Sequence, residues 1–298
     1  MEFLQTCIDG LLFGSAYSLL ALSFSLLFGV MKRINLAFGS TLLLSAVFSL
    51  WIDSVFSIGI LGIFLVMLGS SALINIYVEK LCFFPHRGNY GATVSMIASF
   101  AIWMQLDELS SFLLPDRTAS FPSFLPDSLF LIDIFIRIDQ LFLFFIAIFM
   151  TCIFFYVLYK TNYGLLLRGV SFDRELAKKI GVNSNKITSF AFAFSGIFGA
   201  IAAFLILSTE SQVTPFFGFW CTLKGLVAMM LGGIGSLPGA IIGGLVLGLI
   251  ESNVINYLGA EYRDICTYLI LLFILVVKPG GLMGSAILRD ERAASERI

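Results

Sequence analysis

Residues 224–251 read KGLVAMMLGGIGSLPGAIIGGLVLGLIE: two apolar runs joined by a glycine-rich break, with a lysine at one end and a glutamate at the other. Inside lipid no backbone N–H or C=O group can be left unpaired. An irregular stretch such as Gly232-Gly233-Ile234-Gly235-Ser236 therefore survives only when buried in protein or lining water. Two readings stay open. One is a tight turn between packed helices, with Gly243, Gly244 and Gly248 allowing close approach of the second helix. The other is a hinge or gate beside a path through the membrane. Either way the stretch belongs to a bundle of helices in lipid, and the rest of the chain agrees.

Of the 298 residues, 59% are hydrophobic and only 12% charged, about half the charge of an ordinary soluble domain. The mean hydropathy is +0.99. With 32 Phe and only 7 Pro, the chain has nowhere but lipid to put so much apolar surface. Soluble globular, disordered and nucleic-acid-binding classes are excluded. Cys7, Cys82, Cys152, Cys221 and Cys266 are scattered and form neither a disulfide framework nor a thiolate metal site. A single histidine, His86, argues against a histidine metal centre or a His-dependent triad.

A span needs roughly 20 apolar residues. Nine candidates fall at about 10–30, 34–52, 55–77, 92–113, 141–159, 187–208, 219–234, 239–257 and 265–277. The first is a retained helix, because no small-residue cleavage site follows it. Short loops rich in Lys and Arg stay cytoplasmic. With the N-terminus outside and nine crossings, fourteen of the 18 basic residues fall inside. Arg117, Arg137 and Arg263 fall outside, and Lys224 lies within a span. The acidic loop 114–140, with Asp116, Asp127, Asp133 and Asp139, fits the outer face. Dropping one span would put Lys278 and the basic tail outside; a re-entrant pair would not. The expectation is an all-α polytopic membrane helix bundle, a single permease-like domain over 1–298. It is expected to have about 8–9 transmembrane segments and a broken or re-entrant stretch near 219–239, with the N-terminus outside and the C-terminus cytoplasmic.

The chemistry is limited by what is missing. No GxxxxGK[ST] occurs, so the chain holds no nucleotide in a P-loop. GxSxG, HExxH, an arginine ladder and a TVGYG-like filter are absent too. This points away from an enzyme and towards a transport component.

The longest basic loop, 160–186, contains Ser171-Phe-Asp-Arg-Glu-Leu-Ala-Lys-Lys-Ile-Gly181, which reads as a short helix. Ser171 is placed to cap it, Asp173 and Glu175 sit in its first turn, Lys178 and Lys179 in its last, and Gly181 stops it. Phe172, Leu176 and Ile180 recur at i, i+4, i+8, while Ala177 and Gly181 flank this stripe and leave room for another surface. The helix either lies on lipid headgroups or docks a cytoplasmic partner.

Arg168-x4-Asp173-x3-Ala177-x3-Gly181-Val-Asn183 resembles the coupling loop of permeases in bacterial ABC importers, specifically the branched-chain amino-acid (LivH-type) family. Lys224 and the Gly225–Glu251 block are similar to that family's K-x6-L-G-G-x-G-S-x-x-G-A-x-x-G-G. Gly14, Tyr17, Ala21-Leu22, Gly29 and Ile34-Asn35-Leu-Ala-Phe-Gly39 resemble its first conserved region. Lys278-Pro279-Gly-Gly281-Leu282-x-Gly284 is similar to its ending. Phe38 stands where that family usually has His, and Ser40 where it usually has an acidic or other polar residue. That departure leaves the substrate open among branched-chain amino acids, urea and amides.

The resemblance implies a permease in the bacterial inner membrane, paired with a second permease, homologous or identical. An extracytoplasmic solute-binding protein would deliver solute. Two cytoplasmic ATPase subunits would carry ATP and Mg, and this chain would bind no cofactor or metal and catalyse nothing. Arg168, Asp173, Glu175, Leu176, Ala177 and Gly181 become the ATPase-coupling residues.

Asn35, Gly39, Gln105, Lys224, Gly232, Gly233, Gly235 and Glu251 become candidates for the path or gate. Lys224 at a bilayer centre would cost roughly 2.5–3.5 kcal/mol. Lying about five residues, or roughly 7.5 Å, inside its segment, it either snorkels to the outer headgroups or faces the path. Asn35 beside Lys32 and Arg33 is placed to cap the second span. Gln105, Asp107 and Glu108 make a polar end to the fourth. The rival class is a stand-alone ion-coupled secondary transporter, for which Asp107, Glu108 and Glu251 are the available carboxylates. A structural scaffold would not need the glycine break.

Overall fold

The computed structural model describes residues 2–85, 91–114, 118–122, 128–131, 134–278 and 280–283. His86, Arg117, the loop residues Asp116, Asp127 and Asp133, Pro279, Gly284 and the basic tail lie outside them. In chain order the helices are α1 (Glu2–Met31), α2 (Phe38–Phe56), α3 (Gly59–Val78), α4 (Gly91–Leu113), α5 (Ile138–Lys160) and α6 (Asn162–Phe172). They continue with α7 (Arg174–Lys179), α8 (Ser184–Glu210), α9 (Phe217–Gly232), α10 (Leu237–Tyr257) and α11 (Arg263–Val277). A π-helical turn, Glu79–Phe83, extends α3, and a 3-10 turn, Ala260–Tyr262, leads into α11.

Each of the nine apolar stretches in the sequence is a helix. Among the described residues, six helical runs are long and apolar enough to cross a membrane: Phe3–Met31, Phe38–Phe56, Gly59–Phe83, Ile138–Lys160, Ser184–Glu210 and Leu237–Tyr257. Of the others, α4 has 23 residues but a polar end, and α9 and α11 have 16 and 15. Two small antiparallel ribbons add to the all-helical picture. Ala119–Ser120 (β1) pairs with Gln212–Val213 (β4), and Ser128–Leu131 (β2) with Ile134–Arg137 (β3).

The chain forms two compact units: Met1–Ser25, Pro126–Ala147 and Lys224–Ile298 in the first, Leu26–Leu125 and Ile148–Leu223 in the second. In the first unit α1 and α10 meet through small residues. A Cβ on Gly248 would lie 2.4 Å from the Gly10 carbonyl oxygen, so the two backbones touch there. Ser18 Oγ donates to the Ile241 carbonyl at 2.8 Å, and Ser252 Oγ to that of Thr6 at 2.7 Å.

The glycine break separates α9 from α10 and leaves both helices whole. Within the stretch 219–239, expected to be broken or re-entrant, the break falls at 233–236, after an α9 that is continuous to Gly232. Gly233 (φ +119°) and Gly235 (φ +78°) occupy backbone conformations that L side chains avoid. Ser236 caps α10 by accepting from Gly239 N at 3.2 Å. The C-terminal end of α9 is closed by residues 280–283. Leu282 N donates to the Leu231 carbonyl at 2.8 Å and Met283 N to that of Gly232 at 2.9 Å. The two glycine motifs far apart in sequence are thus one device that satisfies the last carbonyls of α9.

In the second unit α2, α3 and α8 form the core. Phe64 and Phe121 each meet the Phe204 ring edge-on, at 5.0 and 5.4 Å, and Phe154 meets Phe198 at 5.0 Å. Its buried polar groups are mostly neutral hydroxyls and amides. Ser71 Oγ donates to the Gly196 carbonyl at 2.9 Å, and Asn75 Nδ2 to Thr41 Oγ1 at 2.9 Å. The exception is Glu79, fully buried in the π turn, whose Oε2 accepts from Ser189 Oγ at 2.8 Å.

Candidate functional site

The start of α2 is the first candidate. Residues 32–37 are irregular and run beside α4, with Arg33 Nη1 at 3.5 Å from Ser95 Oγ and Leu36 N at 3.3 Å from Ser99 Oγ. Asn35, expected to cap α2, accepts instead from Ala37 N at 3.1 Å and makes a turn before the helix. The N-cap is Ala37, with no side-chain cap bond. Gly39 N donates to Thr222 Oγ1 at 2.9 Å, and a Cβ on Gly39 would meet the Gly218 carbonyl at 1.9 Å. Glycine here is a packing requirement. One residue on, Ser40 Oγ donates to Asp107 Oδ1 at 2.6 Å, and Trp103 Nε1 donates to Asp107 Oδ2 at 2.6 Å.

Asp107 and Glu108 line a cavity of about 520 Å³ with Trp103, Phe100, Phe216 and Phe219. The Trp103 ring stacks on Phe219, with centroids 5.4 Å apart and planes 10° apart. Gln105 does not join them: it lies against Leu44, Leu73 and Tyr77 in a separate, apolar groove.

The second candidate is the charged cluster of the first unit. Lys224, in the middle of α9, is fully buried and pairs with Glu251 Oε1 of α10 and, at 2.8 Å, with Asp264 Oδ1 of α11. Tyr17 OH donates to Glu251 Oε2 at 2.9 Å, Arg263 Nε lies 3.6 Å from the same oxygen, and Thr267 Oγ1 lies 3.4 Å from Oε1. Two cations and two carboxylates make the cluster neutral. Lys224 does not snorkel, because its ammonium is consumed by carboxylates from the next two helices. The sequence brings Lys224 and Glu251 under suspicion separately. Tyr17, Arg263 and Asp264 join them only through the fold, and Asp264 carries no local signal beyond its place at a helix start.

The third candidate is the basic loop. The expected single helix over 171–181 is two, because the chain turns at Asp173 (φ −147°, ψ 110°). Asp173, not Ser171, is the cap of α7: its Oδ1 accepts from Glu175 N at 2.8 Å and Leu176 N at 3.0 Å. Ser171 Oγ donates to the Gly29 carbonyl at 2.5 Å. Arg168 stacks over the Tyr159 ring at 5.1 Å, and Arg174 Nη2 donates to Thr188 Oγ1 at 3.1 Å, tying α7 to α8. Phe172, Leu176 and Ile180 are 88%, 57% and 73% exposed. Ala177 is buried, so the face expected to leave room for another surface is already occupied by the protein itself. Gly181 (φ +86°) supplies the left-handed stop and has open space around its Cα. Glu175, hydrogen-bonded to Lys178 at 2.8 Å, has its carboxyl held below the ordinary value.

Apolar helices of membrane length, a glycine turn between two of them and a charge cluster buried at Lys224 and Glu251 define a polytopic membrane protein. The model of one family, branched-chain amino acid transport system / permease component, matches residues 6–275, and the chain belongs to that family. It is accordingly the transmembrane permease component of an ATP-driven importer. The high-affinity branched-chain amino acid transport system permease protein BraD of Pseudomonas aeruginosa is 26% identical, over 95% of this chain and 96% of its own length. The corresponding LivH protein of Escherichia coli is 27% identical over the same shares. PsaBC from Streptococcus pneumoniae, solved in complex with Fab, shares the fold. The TM-score is 0.51 at 14% identity, over 92% of this chain and 91% of that one.

Proposed function

We propose that the chain forms part of the translocation path for a branched-chain or other small amino acid in the bacterial cytoplasmic membrane. It pairs there with a second permease, homologous or identical, and acts as one permease domain with about 8–9 crossings. Its N-terminus lies outside and its C-terminus in the cytoplasm. An extracytoplasmic binding protein delivers solute, and two cytoplasmic ATPase subunits carry ATP and Mg and supply the energy. The names of the relatives support the solute class, and the excess of Lys and Arg in the loops assigned inside supports the orientation.

The observation that carries the coupling reading is the exposed apolar set Phe172, at the end of α6, Leu176, on α7, and Ile180, at the C-cap of α7, around a short helix fixed at both ends. Asp173 caps its start, Arg174 ties it to Thr188, and Gly181 ends it. Three large exposed apolar side chains grouped on and beside a short anchored helix offer an apolar docking surface for a partner. Such a helix transmits motion because it is anchored in the body of the protein, so a pull on the stripe moves α8.

Leu176→Asp tests this. The variant inserts at normal levels, because Leu176 is more than half exposed, yet ATP-driven uptake falls by roughly tenfold or more. Leu176→Met retains uptake. Undiminished uptake by Leu176→Asp would sink the docking reading.

A further inference from the structure

We propose that the cavity beside Asp107 is a binding site for a small organic ammonium with an apolar body, a molecule of the size and shape of a branched alkylamine. The proposal rests on the permease reading and narrows it: the cavity recognises the cationic end of the solute and its hydrocarbon part.

Three features point this way. First, the cavity, at about 520 Å³, is of ligand size, and most of its lining is aromatic or apolar. Second, its charge has one sign. Asp107 and Glu108 line it, and no basic side chain among the described residues does so. Asp107 lies six residues before the end of α4, about 9 Å along the helix. A carboxylate at that depth must face water, protein or a ligand.

Third, the carboxylate is preorganised. Ser40 and Trp103 each donate one hydrogen bond, one to each oxygen, which fixes the group and leaves further lone pairs on both for an ammonium. The same Trp103 bond pins the indole against Phe219, so a flat aromatic wall stands next to the anion. An ammonium beside Asp107 gains a charge-assisted hydrogen bond, and the aromatic faces favour a cation as well. A carboxylate on the solute finds only like charge here. The carboxylate of an amino acid must then be met by a group outside this cavity.

The experiment uses the full-length chain in lipid nanodiscs with Trp51→Phe and Trp220→Phe, which leave Trp103 as the single indole of the three. Isopentylamine, leucine and 4-methylpentanoate share one hydrocarbon skeleton and differ in their charged ends. Isopentylamine should change Trp103 fluorescence saturably, leucine should bind more weakly, and 4-methylpentanoate should produce no saturable change. Asp107→Asn should weaken the amine at least about tenfold, and Asp107→Glu should restore most of it. Glu108→Gln, at an exposed position, should weaken it by roughly threefold with no effect on folding.

Equal binding of the carboxylate, tighter binding of leucine than of the amine, or an unchanged amine affinity in both Asp107→Asn and Glu108→Gln overturns the assignment. ATP-driven uptake into proteoliposomes is read in parallel. Uptake without amine binding refutes the site alone, and amine binding without uptake refutes the transport reading alone.

Discussion

The two units bury polar groups in different ways. The first concentrates four charges from three helices into one neutral knot, Lys224, Glu251, Arg263 and Asp264, with Tyr17 and Thr267 filling remaining acceptor sites. The second mostly scatters neutral pairs along its helix seams, such as Ser71 with Gly196 and Asn75 with Thr41. The buried heart of that knot, Lys224 with Glu251, is costly to break, because removing one of the two leaves the other a buried charge with only part-exposed neighbours to compensate it. Scattered neutral pairs fail one at a time, each at the modest cost of one hydrogen bond. The first unit should therefore be brittle to single substitutions at a few positions, and the second tolerant at many.

The sharpest way to break that contrast is Lys224→Met. It removes the buried cation paired with Glu251, leaving that carboxylate to Arg263, Tyr17 and Thr267, and should destabilise the first unit by about 3 kcal/mol, seen as a lowered thermal midpoint of the purified protein. Lys224→Met with Glu251→Gln should recover part of the loss, since the orphaned charge is gone. A single variant as stable as the parent would mean the knot does not hold the unit. Ser71→Ala, in the second unit, leaves the Gly196 carbonyl its own helical bond and should cost only about 1 kcal/mol in the same measurement.

The smallest effect belongs to the Glu175–Lys178 pair on the surface of α7. The Glu175 carboxyl lies below its ordinary value because Lys178 donates to it, so any stability it lends is present above that value and fades as the pH falls through the lowered one. Both groups are exposed, and Glu175→Gln should leave the thermal midpoint unchanged at neutral pH.

How much of this was legible in the sequence follows from which signals are local. All nine apolar runs became helices because a membrane helix announces itself by length and composition over one continuous stretch. The glycine turn at 233–236 was also visible, but its closure by Leu282 and Met283 was not. Those hydrogen bonds join segments some fifty residues apart. In the basic loop, Ser171 and Asp173 are both good capping residues, and sequence alone ranks them poorly. The extended backbone at Asp173 decides the matter.

Phe172, Leu176 and Ile180 are all exposed, but the break at Asp173 divides the stripe expected on one helix between the end of α6 and α7 with its cap. Which neighbours of it were free was not legible, because the burial of Ala177 depends on what the rest of the chain places against it. Lys224 shows the same limit in the membrane. Its depth was evident, and its partners came from two other helices. Glu79 gave no signal at all: a glutamate beside Lys80 at the end of an apolar run looks like an interfacial residue. Only the π turn brings it inward to Ser189.

The most direct test of the central claim is reconstitution. The chain, purified with the ATPases that accompany it from its own membranes, is placed in proteoliposomes and radiolabelled leucine uptake is followed. An ATP-driven permease accumulates solute with ATP and no ion gradient, and loses that uptake when the ATPases are omitted. Accumulation by the chain alone, driven by a proton or sodium gradient without ATP, would contradict the account and make Asp107, Glu108 and Glu251 coupling carboxylates instead.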